Sequence, residues 1–198
     1  MIPVITINRE FGSGGHSIAQ KVAEKLGIPF LDGELIDKAA QDSGYCNEVI
    51  EEQGESTTQA NMWFNISAAS TMYFQSPQDE IYLSQRKIII EEAKKGPCVI
   101  VGRCSDYILA QEEIPCINTL IHADIESRKR RVLDRYGDIK DVAIEKRILK
   151  KDKQRKTYYK YYTDQTWGHY QNYDLSIDSG KLGEDRCVEL ICNLAKSF

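Results

Sequence analysis

Val4-Ile5-Thr6-Ile7-Asn8-Arg9-Glu10-Phe11-Gly12-Ser13-Gly14-Gly15-His16-Ser17-Ile18-Ala19 joins an apolar run to a helical pattern through a glycine-rich turn. Val4 to Ile7 reads as a buried strand, and Ile18, Val22 and Leu26 recur every fourth residue, the spacing of one helix face. Gly27 then stops that helix. A strand, a tight turn and a helix start together present backbone N–H groups and the positive end of the helix dipole to an anion. Gly12, Gly14 and Gly15 permit close approach, so Gly12, Ser13, Gly14, Gly15, His16 and Ser17 form a candidate cradle for nucleotide phosphates. The competing reading is a strand-to-helix turn that holds no ligand.

Outward from this loop, Ile28-Pro29-Phe30-Leu31 reads as a short strand and Glu34 to Asp42 as a helix. Ile81 to Lys95 predicts a helix stopped by Gly96-Pro97, then the apolar strand Cys98-Val99-Ile100-Val101. A further strand is expected at Ile117–Ile121, helices at Ile125–Tyr136 and Val142–Tyr162, a last strand at Asp174–Ile177 and a closing helix at Glu184–Lys196. Apolar strands separated by helices imply an α/β protein, a parallel sheet of about five strands with helices on both faces. Ligands bind such sheets at the carboxyl ends of the strands, where Asn8–Ser17 and Gly102–Asp106 converge. The 198 residues suit a single domain spanning 1–198, with residues 43–79, polar and weakly periodic, as an insert of short helices.

The net charge of −4 argues against a dedicated nucleic-acid binder, which needs a basic surplus for phosphate contacts. A small-molecule partner is expected instead. Six cysteines lack a Cys-x-x-Cys pair or metal-ligand spacing, so buried reduced thiols are expected. No secretion signal is visible and no apolar run approaches the length of about 20 residues that spans a bilayer. The expected setting is cytoplasmic, without membrane contact; oligomeric state stays open.

The phosphate loop departs from Gly-x-x-x-x-Gly-Lys-Ser/Thr, because Arg9 or Glu10 stands where the first Gly belongs and no Lys follows Gly14 or Gly15. Together with Val101-Gly102-Arg103 and Glu126-Ser127-Arg128-Lys129-Arg130-Arg131, the segment Val4–Ala19 resembles the cytidylate-kinase-like proteins. The resemblance covers nearly the whole chain, with the 43–79 insert matching least. It implies a P-loop nucleoside monophosphate kinase fold with a helical insert, a lid near residues 136–160, and use of ATP with Mg²⁺. It also implies the loop register: Gly15 falls where such kinases carry the P-loop Lys, His16 replaces the first hydroxyl residue, and Ser17 is the candidate metal-side hydroxyl. That Lys neutralises charge on the transferring phosphoryl group, so another cation must serve if chemistry is retained. Arg9 and His16 are the candidates, although His16 also fits a solvent-facing residue at a helix start.

On the acceptor side, Gly102-Arg103 matches the family's Gly-Arg-Asp, except that Cys104 stands in the Asp position and Asp106 follows two residues later. Arg103 suits a bidentate grip on phosphate, or alternatively a neighbouring carboxylate. Lys38 falls near the position of an acceptor-binding Arg, though a solvated surface Lys is the plainer reading. The resemblance assigns lid roles over the phosphates to Arg128, Arg131 and Arg155, and Asp152-Lys153-Gln154-Arg155 fits the family's Asp-x-x-Arg, with Asp152 on the substrate side. Lys146, Lys150 and Lys156 read as a solvated helix face. The aromatic stretch Tyr158–Tyr173 is expected to seal the helix end onto the core. Three functions follow: phosphoryl transfer from ATP to a CMP-like nucleotide, a nucleotide-binding regulatory protein with weak or no chemistry, and a kinase for a small non-nucleotide acceptor.

Overall fold

The computed structural model describes residues 2–33, 35–37, 77–137 and 143–198. The chain begins with β1 (Val4–Arg9), α1 (Gly15–Leu26) and β2 (Phe30–Leu31). Residues 33 and 35–37 are helical. Then come α2 (Pro77–Lys95), β3 (Val99–Val101), α3 (Ser105–Gln111), β4 (Cys116–His122), α4 (Ile125–Tyr136) and α5 (Ile144–Thr163). A 3-10 turn at Tyr170–Asn172, β5 (Leu175–Asp178), α6 (Ser179–Leu182) and α7 (Glu184–Ser197) complete it. Lys38 and most of the 43–79 insert lie outside the described residues.

The five strands form one parallel sheet in the order β2-β3-β1-β4-β5. Ile5 and Ile7 of β1 join α1 and α7 in one apolar cluster, while Val4 and Ile100 join residues of α2, α3 and α5 in a second cluster across the sheet. Both faces are therefore covered, which is why the strands are apolar without strict alternation. β1 lies at the centre, so its carboxyl end opens between the neighbouring strands, where a parallel sheet places its ligand crevice.

Most element boundaries shift by one or two residues from the sequence pattern, and three differences have a physical reason. β1 runs two residues past Ile7, because Asn8 and Arg9 continue the ladder against Leu120 and Ile121 of β4. α2 begins at Pro77 rather than Ile81, with proline at the first helical position and Asp79 and Glu80 in the first turn complementing the dipole. α3 was not expected at all. The aromatic stretch behaves as expected: Tyr158, Tyr159 and Trp167 are buried, and Tyr82 stacks on Tyr162 with centroids 3.9 Å apart. The five described cysteines are free, and burial pushes the Cys98 and Cys116 thiols up to about 11. Among the described residues, no helix is long and apolar enough to cross a membrane.

Between β3 and α3 the backbone makes three consecutive left-handed residues, Gly102 (φ 74°), Arg103 (φ 57°) and Cys104 (φ 55°). A non-glycine residue pays about 1–2 kcal/mol for this conformation. The turn is held by Gly102 N–H donating to Ile7 O at 3.2 Å and by Ser105 N–H donating to Gly102 O at 3.1 Å. It delivers Arg103 beside the loop that follows β1. Gly102→Ala is expected to cost a further 1–2 kcal/mol, roughly, read as a lower urea midpoint at unchanged slope.

Candidate active site

The Gly-rich loop is set by a buried clamp on the Phe11 peptide. Phe11 N–H donates to Asp152 Oδ1 at 2.8 Å, and Phe11 O accepts from Arg128 Nε at 2.8 Å. Arg128 Nη2 pairs with Asp152 Oδ2, and Arg128 Nη1 lies 3.2 Å from Glu10 Oε2. Both Arg128 and Asp152 are buried. Gly12 fits under this clamp, since a Cβ there would sit 2.9 Å from Arg128 O and 2.9 Å from Val132 Cγ2, in a left-handed backbone besides.

The family resemblance pointed Arg128 and Asp152 at the phosphates and the acceptor. The structure differs: neither lines either of the two clefts described below, because each is spent on the other and on the loop backbone. Their contacts hold the Phe11 peptide and the Glu10 side chain.

In front of the loop lies a cleft of about 370 Å³, a size suited to a small ligand. Its lining includes Gly12, Gly14, Gly15, His16 and Ser17, together with Arg9, Arg131 and Arg155. Ser13 is buried behind the loop, its backbone O accepting from Ser179 Oγ at 2.6 Å. Arg131 Nε lies 3.5 Å from Glu184 Oε1, and its buried Nη1 has no hydrogen-bond partner among the described residues. Arg155 Nη1 donates to Arg9 O at 2.9 Å. His16 is half exposed at 3.1 Å from Asp32 Oδ2, its ring edge-on to Phe30.

Ser17 Oγ donates to Glu184 Oε2 at 2.8 Å, and Lys21 Nζ reaches the same carboxylate oxygen at 3.2 Å. Glu184, the first residue of α7, therefore lies at the mouth of the phosphate loop, although no sequence signal marks it: 167 residues separate it from Ser17. Phe11, inside the loop segment, and Tyr136, at the end of α4, also line the cleft. Their rings stack 6.1 Å apart at the cleft edge, with the Arg147 guanidinium 5.0 Å from the Tyr136 centroid.

A second, narrow cleft shares Arg9 and Arg155 with the first and adds Asn8, Gly102, Arg103, Cys104, Tyr158, Tyr159 and Trp167. Arg103 forks onto Asp37, Nε to Oδ1 at 3.1 Å and Nη2 to Oδ2 at 2.5 Å. Gln85 donates to the same Oδ1 at 2.9 Å and accepts from Tyr158. The bidentate geometry is the one expected of Arg103, with a carboxylate in the fork.

Asp106 lines neither cleft. It is buried behind Tyr159, whose hydroxyl donates to Oδ2 at 2.8 Å. Burial raises its pKa, against the lowering effect of the Tyr159 hydrogen bond.

A Gly-rich loop at the carboxyl end of a central parallel strand, with arginines from two later helices above it, defines a P-loop kinase fold. A shikimate kinase from Bacteroides thetaiotaomicron has this fold: TM-score 0.59 at 12% identity, covering 98% of each chain. The chain belongs to the cytidylate kinase-like family, whose model matches residues 4–181. It is 26% identical to the cytidylate kinase of Archaeoglobus fulgidus over 188 residues, 94% of this chain and 91% of that one. An uncharacterized protein from Eubacterium ventriosum superposes with a TM-score of 0.72 at 30% identity, covering 99% of both chains.

Two predictions follow from the buried groups. Arg128→Met strands the Asp152 carboxylate and is expected to lose about 3–5 kcal/mol in urea unfolding, with much of the loss recovered by adding Asp152→Leu. For Asp106, the unfolded carboxyl ionises near pH 4, by its ordinary value, while the folded one keeps its proton to higher pH. The unfolded state binds fewer protons in that window, so stability falls as pH rises from about 4 toward the raised folded value. Asp106→Asn is expected to flatten this slope in unfolding midpoints measured across a pH series.

Proposed function

We propose that this protein transfers the γ-phosphoryl group of ATP to a nucleoside monophosphate, with a CMP-like acceptor. The observation that carries this reading is the convergence of Arg9, Arg131 and Arg155 on the cleft in front of the Gly12–Ser17 loop. Phosphoryl transfer asks for positioning and charge neutralisation more than for a covalent group, and such an arrangement supplies both. An acceptor phosphate oxygen bonds to the γ-phosphorus as the bond between that phosphorus and the β,γ-bridging oxygen breaks, and ADP leaves carrying that oxygen and the bond's electron pair. The loop N–H groups and the dipole of α1 hold the donor phosphates. Arg131, with a buried donor nitrogen to offer, and Arg155, at the junction of the two clefts, neutralise the moving group.

Ser17 and Glu184 present a hydroxyl and a carboxylate oxygen side by side, which fits Mg²⁺, an ion that takes one or two protein oxygens beside phosphate oxygens. Bound there, Mg²⁺ would neutralise donor phosphate charge. Arg103 and Asp37, with Lys38 next in the chain, mark the acceptor side. The relatives named cytidylate kinase support a nucleotide acceptor.

The second reading, a nucleotide-binding regulator without efficient chemistry, is favoured by one observation, Gly15 in the place of the usual Lys. A coupled assay over the common nucleoside monophosphates separates the two. Turnover with at least one monophosphate is expected, falling by about 100-fold or more in Arg131→Ala and Arg155→Ala. No turnover above Arg155→Ala, with ATP still bound in calorimetry, establishes the regulator; turnover only with a small hydroxyl compound establishes a non-nucleotide acceptor.

A further inference from the structure

The glycine at position 15 has no conformational reason to be there. It opens α1, and its φ lies outside the left-handed region that favours glycine. Its reason is space. A Cβ on residue 15 would lie 2.4 Å from Arg9 Cβ, too close for any side chain unless Arg9 shifts, and 3.0 Å from Arg9 Cγ. The Arg9 stem occupies the volume from which a lysine at position 15 would rise.

We infer that Arg9 and Gly15 form a reciprocal exchange, in which the cation of the phosphate loop has moved from the start of the helix to the end of the strand. This inference rests on the phosphoryl-transfer reading above and names the residue that serves the donor's terminal phosphates. The exchange is physically coherent at each step. Arg9 ends β1, the central strand, where its backbone N–H and C=O region is fixed by the ladder to Ile121 and by Arg155 donating to Arg9 O at 2.9 Å. Its stem crosses the backbone of Gly15 at contact distance, and the residue lines both the donor cleft and the narrow second cleft. An arginine there offers a planar fork of donors to phosphate oxygens.

His16, the other cation near the loop, is the weaker claimant, since it is half exposed and its ring lies edge-on to Phe30. Of the two, only Arg9 is imprinted on the backbone of the loop itself.

The test is a set of variants read by thermal unfolding and by calorimetric binding of ATP and AMP. Arg9→Met keeps the stem over Gly15 and removes the charge, so the fold is preserved. ATP affinity is expected to fall by about 10–100-fold, the range for lost charge-assisted hydrogen bonds, while AMP affinity changes little. Gly15→Ala alone is expected to lower the melting temperature by several degrees, and to lower it much less in an Arg9→Gly background, where the blocked volume is open. Gly15→Lys alone is expected to fold poorly or bind ATP weakly, and Arg9→Gly combined with Gly15→Lys to regain most of the ATP affinity.

Equal losses of ATP and AMP binding in Arg9→Met, or no loss, overturn the inference and leave the kinase reading standing. So does a double variant no better than Arg9→Met. A wild-type protein that binds no ATP at all overturns both.

Discussion

The Arg128–Asp152 pair, closed on the two sides of the Phe11 peptide, is the constraint on which the site depends. A buried ion pair is expensive to desolvate and is retained where each charge has several good partners. Here Arg128 serves Phe11 O, Asp152 and Glu10, and Asp152 also accepts from Phe11 N–H. One charged pair thereby ties α4, α5 and the phosphate loop together. Gly12 is shaped to this clamp, since any side chain there would strike the backbone of Arg128.

From that anchor the rest of the site follows by proximity. α4 carries Arg131 one turn beyond Arg128, which brings it over Gly14 and onto Glu184. α5 carries Arg155 one turn beyond Asp152, which brings it to the end of β1. The spacing of three residues within each helix thus separates a buried positioning residue from a cleft-lining arginine. The same logic governs the acidic balance. Arg103 faces Asp37 and Arg131 faces Glu184, while the larger cleft is lined by Arg9, Arg131, Arg135 and Arg155 against Glu10 and Glu184, so an acidic chain supports a locally cationic cleft. A phosphate entering it competes with carboxylates already in place.

Periodicity made the parallel sheet, the order of strands and helices, and the loop after β1 legible before any tertiary contact was known. That Arg131 and Arg155 would stand near the loop was legible only through the family resemblance, and Arg9 through its place in the loop segment itself. Glu184 was not, because it reaches Ser17 across 167 positions and carries no motif. α3 was missed because its seven residues are too short for a helical period, and its start depends on a left-handed turn. That Arg128 and Asp152 face each other and the Phe11 peptide was not legible, since a motif fixes spacing and cannot say which member of a helix turn faces inward.

Sequence alone therefore determined the layers of the fold and the glycine-rich turn between β1 and α1, because hydrophobic period and glycine chemistry are local properties. Only the tertiary structure decided why position 15 is glycine. That answer depends on the Arg9 stem lying against it, and a collision between the end of a strand and the start of a helix exists only once both are packed.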